Sequence, residues 1–279
     1  MFKLLRCRAE ILRRIRAFFD GRGFIEVTTP VAIAAPAPEP HIDCPALAGA
    51  QPRFLRASPE LQMKKLLAAG MDRIYQIGPC FREGEFGSRH HPEFTMLEWY
   101  RLEADYRAIY DDMMALMREL FPAERYGEPR RATVRELYLE RAHWDPFAAF
   151  DQDRFDYDMA TKIEPDLGGG FCSLWDYPPE AASLSRLRDG VAERWELYYD
   201  GIELANCFTE LCDGAEQRRR FVAAKAERRR LGERDYPLDE DFLESVPLMK
   251  SAAGVALGID RLVTALCGES DIHSVMCGE

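Results

Sequence analysis

No stretch of this 279-residue chain approaches the roughly 20 apolar residues that span a bilayer, because charge interrupts every hydrophobic run within a few positions. A membrane span is therefore not expected. The opening MFKLLRCRAEILRRIRAFF is basic but has neither a continuous apolar core nor a small-residue cleavage site, which argues against a secretory leader. Eight cysteines (Cys7, Cys44, Cys80, Cys172, Cys207, Cys212, Cys267, Cys277) occur without a CxxC pair, and no Cys/His group has zinc spacing. They are expected as reduced, mostly buried thiols of a cytoplasmic protein, with no nucleophile among them. Positive charge is also short. Against 48 acidic residues stand 37 Lys and Arg, and the net charge of −11 argues against a sequence-independent grip on nucleic acid. The triple glycine at 168–170 is isolated and carries no phosphate-loop signature. Neither an internal repeat nor a dividing linker is visible, so one mixed domain is the economical expectation.

What is present suffices for a sizeable core: 47% of the residues are hydrophobic. Ile11, Leu12, Ile15, Phe18 and Phe19 recur at helical spacing, predicting an amphipathic helix that ends at Gly21 or Gly23. GFIEVTTP predicts a short strand stopped by Pro30, and the Pro/Ala-rich AIAAPAPEP that follows predicts a loop. Residues 53–70 read as a strand, a Ser-Pro turn and a helix closed by Gly70. DRIYQIGPCFREGE and EFTMLEWYRLE predict an antiparallel pair. Asp105 is placed to cap a helix whose Tyr106, Ile109, Tyr110, Met113, Met114, Met117 and Leu120 share one side. Residues 122–190 are poorly legible apart from the strand-like FCSLWDY. Beyond them come two strands, ERWELYYDG and IELANCFTEL, a basic helix over 214–231, and a glycine-rich strand running into a helix, AAGVALGIDRLVTALCG. The cluster Arg218, Arg219, Arg220, Lys225, Arg228, Arg229 and Arg230 reads either as a solvated helix face or as a dock for an acidic partner.

Three blocks carry chemistry, because each sets charged groups into otherwise buried strand, a costly choice unless those charges meet a ligand or one another. In FREGEFGSRHHPEF, Arg82, Arg89 and His90 suit a phosphate and Phe94 offers a flat face to a base. In ERWELYYDGIELANCFTEL, Glu196, Glu203 and Glu210 repeat every seven residues with Asn206 between them. In GVALGIDR, small residues allow close backbone approach and lead to Arg261 at a helix start. Together they describe a nucleotide and metal site. Any one of them alone is equally compatible with a structural ion-pair network.

GFIEVTTP, FREGEFGSRHHPEF and GVALGIDR resemble, in order, motifs 1, 2 and 3 of class II aminoacyl-tRNA synthetases. SPEL at 58–61, PEFTMLEWY at 92–100 and GIELANCFTEL at 201–211 narrow the likeness to the lysyl branch, and it covers nearly the whole chain. Motif 1 begins almost at the first residue, where lysyl-tRNA synthetases carry an anticodon-binding OB domain. The chain is therefore most similar to the truncated lysyl-synthetase paralogues that attach (R)-β-lysine to elongation factor P.

The resemblance implies an α+β class II synthetase catalytic fold over 1–279, an antiparallel sheet flanked by helices, without an OB domain. It also implies a homodimer through motif 1, and magnesium-dependent use of ATP to form an amino-acid adenylate, which a lysine amine of elongation factor P then attacks. Arg82 would bind the α-phosphate, Phe94 and Arg261 would enclose the adenine, Arg261 would reach the γ-phosphate, and His90 would lie by the phosphate tail. Glu196 and Glu203 would hold Mg2+. Glu60, Glu98, Tyr100, Asn206 and Glu210 would line a pocket whose carboxylates suit a diamine, so a lysine-like amino acid is the expected substrate. Ala256 replaces a glycine usual in the lysyl enzymes, and its methyl is expected to favour β-lysine over α-lysine. Motif 2 departs from the family pattern: Gly84, flanked by Glu83 and Glu85, stands where a Glu usually contacts the adenine amine, and Glu85 would take that role here. His91 replaces the usual Asn before Pro92. Two other readings compete: a minimal lysyl-tRNA synthetase, against which the acidic charge counts, and a non-catalytic synthetase-like regulator, against which both motif arginines count.

Overall fold

The computed structural model describes residues 2–276. Cys277, one of the eight expected thiols, lies outside the described residues. In chain order the elements are α1 (Phe2–Asp20), β1 (Ile25–Glu26), β2 (Ala32–Ile33), β3 (Ala46–Leu47), β4 (Arg53–Leu55), α2 (Glu60–Ala68), β5 (Arg73–Phe81), β6 (Glu93–Leu102) and α3 (Tyr106–Leu120). They continue with α4 (Ala123–Tyr126), β7 (Arg130–Thr133), α5 (Val134–Leu137), α6 (Gln152–Asp158), β8 (Phe171–Tyr177), β9 (Leu187–Arg188), β10 (Val191–Tyr199), β11 (Ile202–Thr209), α7 (Gly214–Leu231), α8 (Glu240–Ser245), β12 (Ala252–Gly258) and α9 (Ile259–Cys267). They form two compact units, one from 1–103, 211–252 and 258–279, the other from 104–210 and 253–257.

In the first unit α1 buries Ile11, Ile15, Phe18 and Phe19, four of the five residues of the predicted stripe, while Leu12 is half-buried. The Phe19 ring stacks on Tyr75 at 4.7 Å and lies 5.1 Å from Trp99, which ties the helix to β5 and β6. Those two strands pair antiparallel from Arg73 opposite Arg101 to Phe81 opposite Glu93, as the pattern predicts. The loop 82–92 is the turn of that hairpin. GFIEVTTP yields only the two-residue β1, parallel to β5. Past it the backbone is satisfied by side chains: Thr29 N donates to Gln76 Oε1 at 2.8 Å, and the buried Arg56 guanidinium donates to the Thr29 and Pro30 carbonyls. A segment whose polar groups are taken this way, with Pro30 lacking a donor, has nothing left for a ladder.

The basic helix α7 belongs to this unit, and its charges are matched within it. Arg218 pairs with Glu240, Arg219 and Arg220 with Glu216, Lys225 and Arg229 with Asp235, and Arg230 with Glu227. Arg228 is fully buried and clamps Asp43 along with the carbonyls of Glu39, Ile42 and Arg234. The cluster is therefore not an open cationic face, and the solvated helix face describes only part of it: Arg218, Arg219, Arg229 and Arg230 are exposed in ion pairs, whereas Arg228 is buried and Arg220 and Lys225 nearly so.

The second unit is built on the meander β12, β11, β10 and β8, antiparallel throughout, with β7 added parallel to β8. Asp105 caps α3 by accepting from Arg107 N and Ala108 N, and all seven predicted residues of its apolar side are buried. They meet Trp175 and Trp195, the latter donating Nε1 to the Tyr106 carbonyl at 2.6 Å. Apart from the four-residue β7, the regular elements of 122–170 are helices of 4 to 7 residues, single π-type turns and one 3-10 turn, too short to carry a periodic signal. Gly168 and Gly170 have φ of +68° and +74°, so the glycine run is a turn into β8 that residues with a Cβ would strain.

Among the described residues no cysteine is in a disulfide and no helix is long and apolar enough to cross a membrane. Cys44, Cys80, Cys172 and Cys207 are buried as expected, but Cys7, Cys212 and Cys267 are partly exposed. Burial pushes the Cys44 thiol up to about 11 and Cys80 to about 12, which leaves neither thiolate at neutral pH.

Candidate active site

The hairpin turn between β5 and β6 collects the expected anion-binding residues of the first unit. Arg82 N donates to the Pro92 carbonyl at 2.9 Å and brings the turn back on itself, so that the Arg82 guanidinium lies 5.1 Å from the centre of the Phe94 ring. Glu85 sits 3.6 Å from Arg82 Nη1 as an ion pair. The buried Arg82 Nε makes no hydrogen bond among the described residues. A charged, desolvated donor left unmatched beside an aromatic face is what a phosphate ester with a base would complete.

Arg261 reaches the same turn from the first turn of α9. Its Nη2 donates to His90 Nε2 at 2.7 Å and its Nε to the Arg89 carbonyl at 3.2 Å. Burial, and then the positive charge of Arg261, hold His90 below its ordinary value, so the ring is neutral and can accept. Asp260 fixes the helix end: its Oδ2 accepts from Thr95 N at 2.6 Å and its Oδ1 from Arg8 Nη1 at 2.6 Å. Position along α9 and position along β6 are thereby locked next to Phe94.

A second group in this unit contains Glu60, Glu98 and Tyr100. Glu98 is fully buried in β6, its two oxygens accepting from Ser58 Oγ and Tyr100 Oη at 2.6 Å each. Burial, reinforced by the charge of Glu60, pushes its carboxyl up to about 7. Glu60 lies in the first turn of α2 and accepts from the buried Lys64 Nζ at 2.5 Å. Glu60 therefore already holds an internal ammonium and Glu98 keeps its proton up to about neutral pH, so a ligand ammonium would share Glu60 with Lys64 and would favour ionisation of Glu98. Ser58, Glu60 and Gln62 also line a cavity with Ile33, Pro36 and Glu39.

The second unit holds the remaining candidates. Glu196 of β10, Asn206 of β11 and Ala256 of β12 stand directly opposite one another and form one row across three strands. Glu196 Oε1 accepts from Arg194 Nη2, and its Oε2 from Tyr198 Oη at 2.7 Å. Glu203 faces Tyr198 across the hairpin, and the same tyrosine lies 3.3 Å from Glu164. Alternation along β11 carries Asn206 and Phe208 on one side toward the buried Glu210. The seven-residue spacing of the three glutamates is thus split by a hairpin and is not one helical or strand face.

For Mg2+, one or two carboxylates suffice when nucleotide phosphates supply the other ligands. Glu196 and Glu203 fit in number and charge, although coordination by Glu196 requires it to exchange its contact with Arg194 or Tyr198. Among the described residues there is no group of three or more His, Cys, Asp or Glu side chains set to hold a metal. Arg194, Tyr198, Ser58 and Lys64 escaped the sequence reading. For Arg194 a signal existed: it stands two residues before Glu196 in a strand and so shares its face.

Residues 1–277 match the family model described as tRNA synthetases class II (D, K and N). Among curated proteins, the chain is 36% identical to a protein of Vibrio cholerae named elongation factor P–(R)-β-lysine ligase, across 97% of this chain and 93% of that protein. It is 35% identical to the protein of that name in Histophilus somni strain 2336, over 98% of this chain and 93% of the other. To that of Mannheimia succiniciproducens it is 36% identical, over 98% and 94%.

Proposed function

The chain belongs to the class II tRNA synthetases of the D, K and N group, and from that membership we propose that it uses ATP to activate (R)-β-lysine as an adenylate and transfers it to a lysine side chain of elongation factor P. The observation that carries the reading is the meeting of Arg82 and Arg261, remote in sequence, at one hairpin turn beside Phe94, with the Arg82 Nε donor unmatched. The names of the curated relatives supply the amino acid and the acceptor.

In this reading residues 1–279 act as one catalytic domain. Arg82 grips the α-phosphate, Glu85 yields its ion pair and contacts the adenine amine, and Phe94 and Arg261 enclose the base. His90, neutral, orients Arg261 toward the phosphate tail. Glu203 and Glu196 would hold Mg2+, which when bound would supply charge neutralisation to the pyrophosphate. Glu60, Glu98, Tyr100, Asn206 and Glu210 receive the amino acid, and Ala256 shapes the pocket. The substrate carboxylate attacks the α-phosphorus, and catalysis is positioning and charge stabilisation without a protein nucleophile. The protein works in the cytoplasm as a homodimer through α1 and β1, where Phe2 and Ile25 are exposed.

The test is ATP–pyrophosphate exchange with (R)-β-lysine, followed by mass analysis of elongation factor P after incubation with enzyme, ATP and the amino acid. Exchange, together with an acceptor mass gain of one lysyl unit, is expected. Absence of exchange with either lysine isomer, from folded protein, would overturn the reading.

A further inference from the structure

Arg194 has no role in the reading above, yet the second unit of the fold spends all three of its guanidinium nitrogens on the candidate pocket and its wall. Nε donates to Asn206 Oδ1 at 3.1 Å, Nη1 to the Ala181 carbonyl at 2.9 Å, and Nη2 to Glu196 Oε1. The plane of the fork lies 4.2 Å from the Tyr177 ring, with Phe208 at 5.7 Å. Its side chain is only 16% exposed. We propose that Arg194 is the positioning residue of the amino-acid site: it orients the Asn206 amide so that the nitrogen, not the oxygen, is offered to the ligand, and it holds Glu196 back from the substrate.

A guanidinium has five donors and no acceptor, so the atom Asn206 turns toward it has to be the carbonyl oxygen. The amide nitrogen, with two protons to give, then points away from Arg194 and seeks an acceptor. On the proposed function, that acceptor is the substrate carboxylate and, after activation, the acyl carbonyl of the adenylate. Asn206 accordingly belongs with the groups that recognise the carboxylate end and not with those that receive ammonium groups. Glu196 stands opposite Asn206 in register, so an unrestrained carboxylate there would repel the same carboxylate end. Arg194 and the Tyr198 hydroxyl take one Glu196 oxygen each and prevent this, and Arg194 keeps its oxygen when Glu196 exchanges the Tyr198 contact for Mg2+. A lysine in place of Arg194 is a single point donor and cannot serve Asn206, Glu196 and Ala181 together.

The inference rests on the proposed activity, so wild-type exchange is measured first. Arg194→Lys preserves the charge beside Glu196 and is expected to unfold at nearly the wild-type temperature, to raise KM for (R)-β-lysine about tenfold and to leave KM for ATP within about twofold. Asn206→Asp is the sharper probe. Its carboxylate still satisfies Arg194 but offers an acceptor to the ligand, so KM for the amino acid rises at least tenfold, whereas inhibition by 1,5-diaminopentane, which has no carboxylate, is unchanged or tightened. An Asn206→Asp enzyme with wild-type or lower KM for the amino acid means that Asn206 offers its oxygen, and overturns the proposal alone. Equal loss of amino acid and diamine binding in both variants means a merely structural role, and overturns it as well. A folded wild-type protein without exchange overturns the activity and this inference with it.

Discussion

Asn206 and Ala256 face each other across β11 and β12, so the single methyl that separates this strand from one with glycine lies opposite the amide proposed to meet the substrate, not opposite the buried Glu210 that follows β11. A β-amino acid carries its amine one carbon further from the carboxylate, and a methyl at this place acts on that difference.

The wild-type enzyme should therefore prefer β-lysine to α-lysine, and Ala256→Gly should move the ratio of kcat/KM toward α-lysine by roughly tenfold, within the 1–3 kcal/mol that one methyl group controls. Initial rates with both isomers on both proteins check this. An unchanged ratio would remove Ala256 as the selector.

Glu98, proposed to receive a substrate ammonium, is expected to make amino-acid binding depend on pH. Its folded carboxyl is raised to about 7 by burial and by Glu60, whereas in the unfolded chain it titrates near 4.5. The native state therefore keeps a proton that the unfolded state has released, and this contribution to stability is present at low pH and lost as pH rises from about 4.5 through 7. A ligand ammonium favours the ionised form. The dissociation constant for lysine should fall as pH rises from 6 to 8, with proton release on binding near pH 7. Calorimetry in buffers of different ionisation enthalpy reads both effects, and Glu98→Gln should flatten them.

Arg82→Ala and Arg261→Ala should each lower adenylation at least about a hundredfold in a folded protein, because each removes a charge aimed at the developing negative charge on the phosphates. Near-normal pyrophosphate exchange in either variant contradicts this assignment.

Arg228→Met should cost about 3–5 kcal/mol, because it strands Asp43 and the carbonyls of Glu39, Ile42 and Arg234 without their shared donor. Denaturant unfolding measures it, and proteolysis should show a new cleavage near residues 39–44. A loss below about 1 kcal/mol would reduce the clamp to ornament.

Total tRNA should bind more weakly than about 1 µM at physiological salt, given the net charge of −11 and a basic helix whose cations are matched by carboxylates of its own unit. Filter binding across a salt series decides it, and tight, strongly salt-dependent binding would favour the tRNA synthetase reading.

Local periodicity determined much of this molecule. Four of the five apolar residues of α1, the β5–β6 pair, the Asp105-capped α3 and the strands at 191–209 follow from the 3.6- and 2-residue repeats that backbone geometry imposes. Of the three charged blocks expected in buried strand, only the one with Glu196 and Asn206 lies in strands; Arg82, Arg89 and His90 lie in a partly exposed hairpin turn and Arg261 in the first turn of α9. The interior of 122–170 was illegible because its helices are shorter than the window in which a period shows. The truncation of GFIEVTTP to two strand residues came from remote side chains, Gln76 and Arg56, that took its backbone groups. Tertiary structure alone decided which charges meet. Lys64 neutralising Glu60, Arg228 reaching Asp43, the α7 arginines pairing off, and Arg194 turning the Asn206 amide all depend on register and chain closure, which bring together groups that no repeat along the sequence connects.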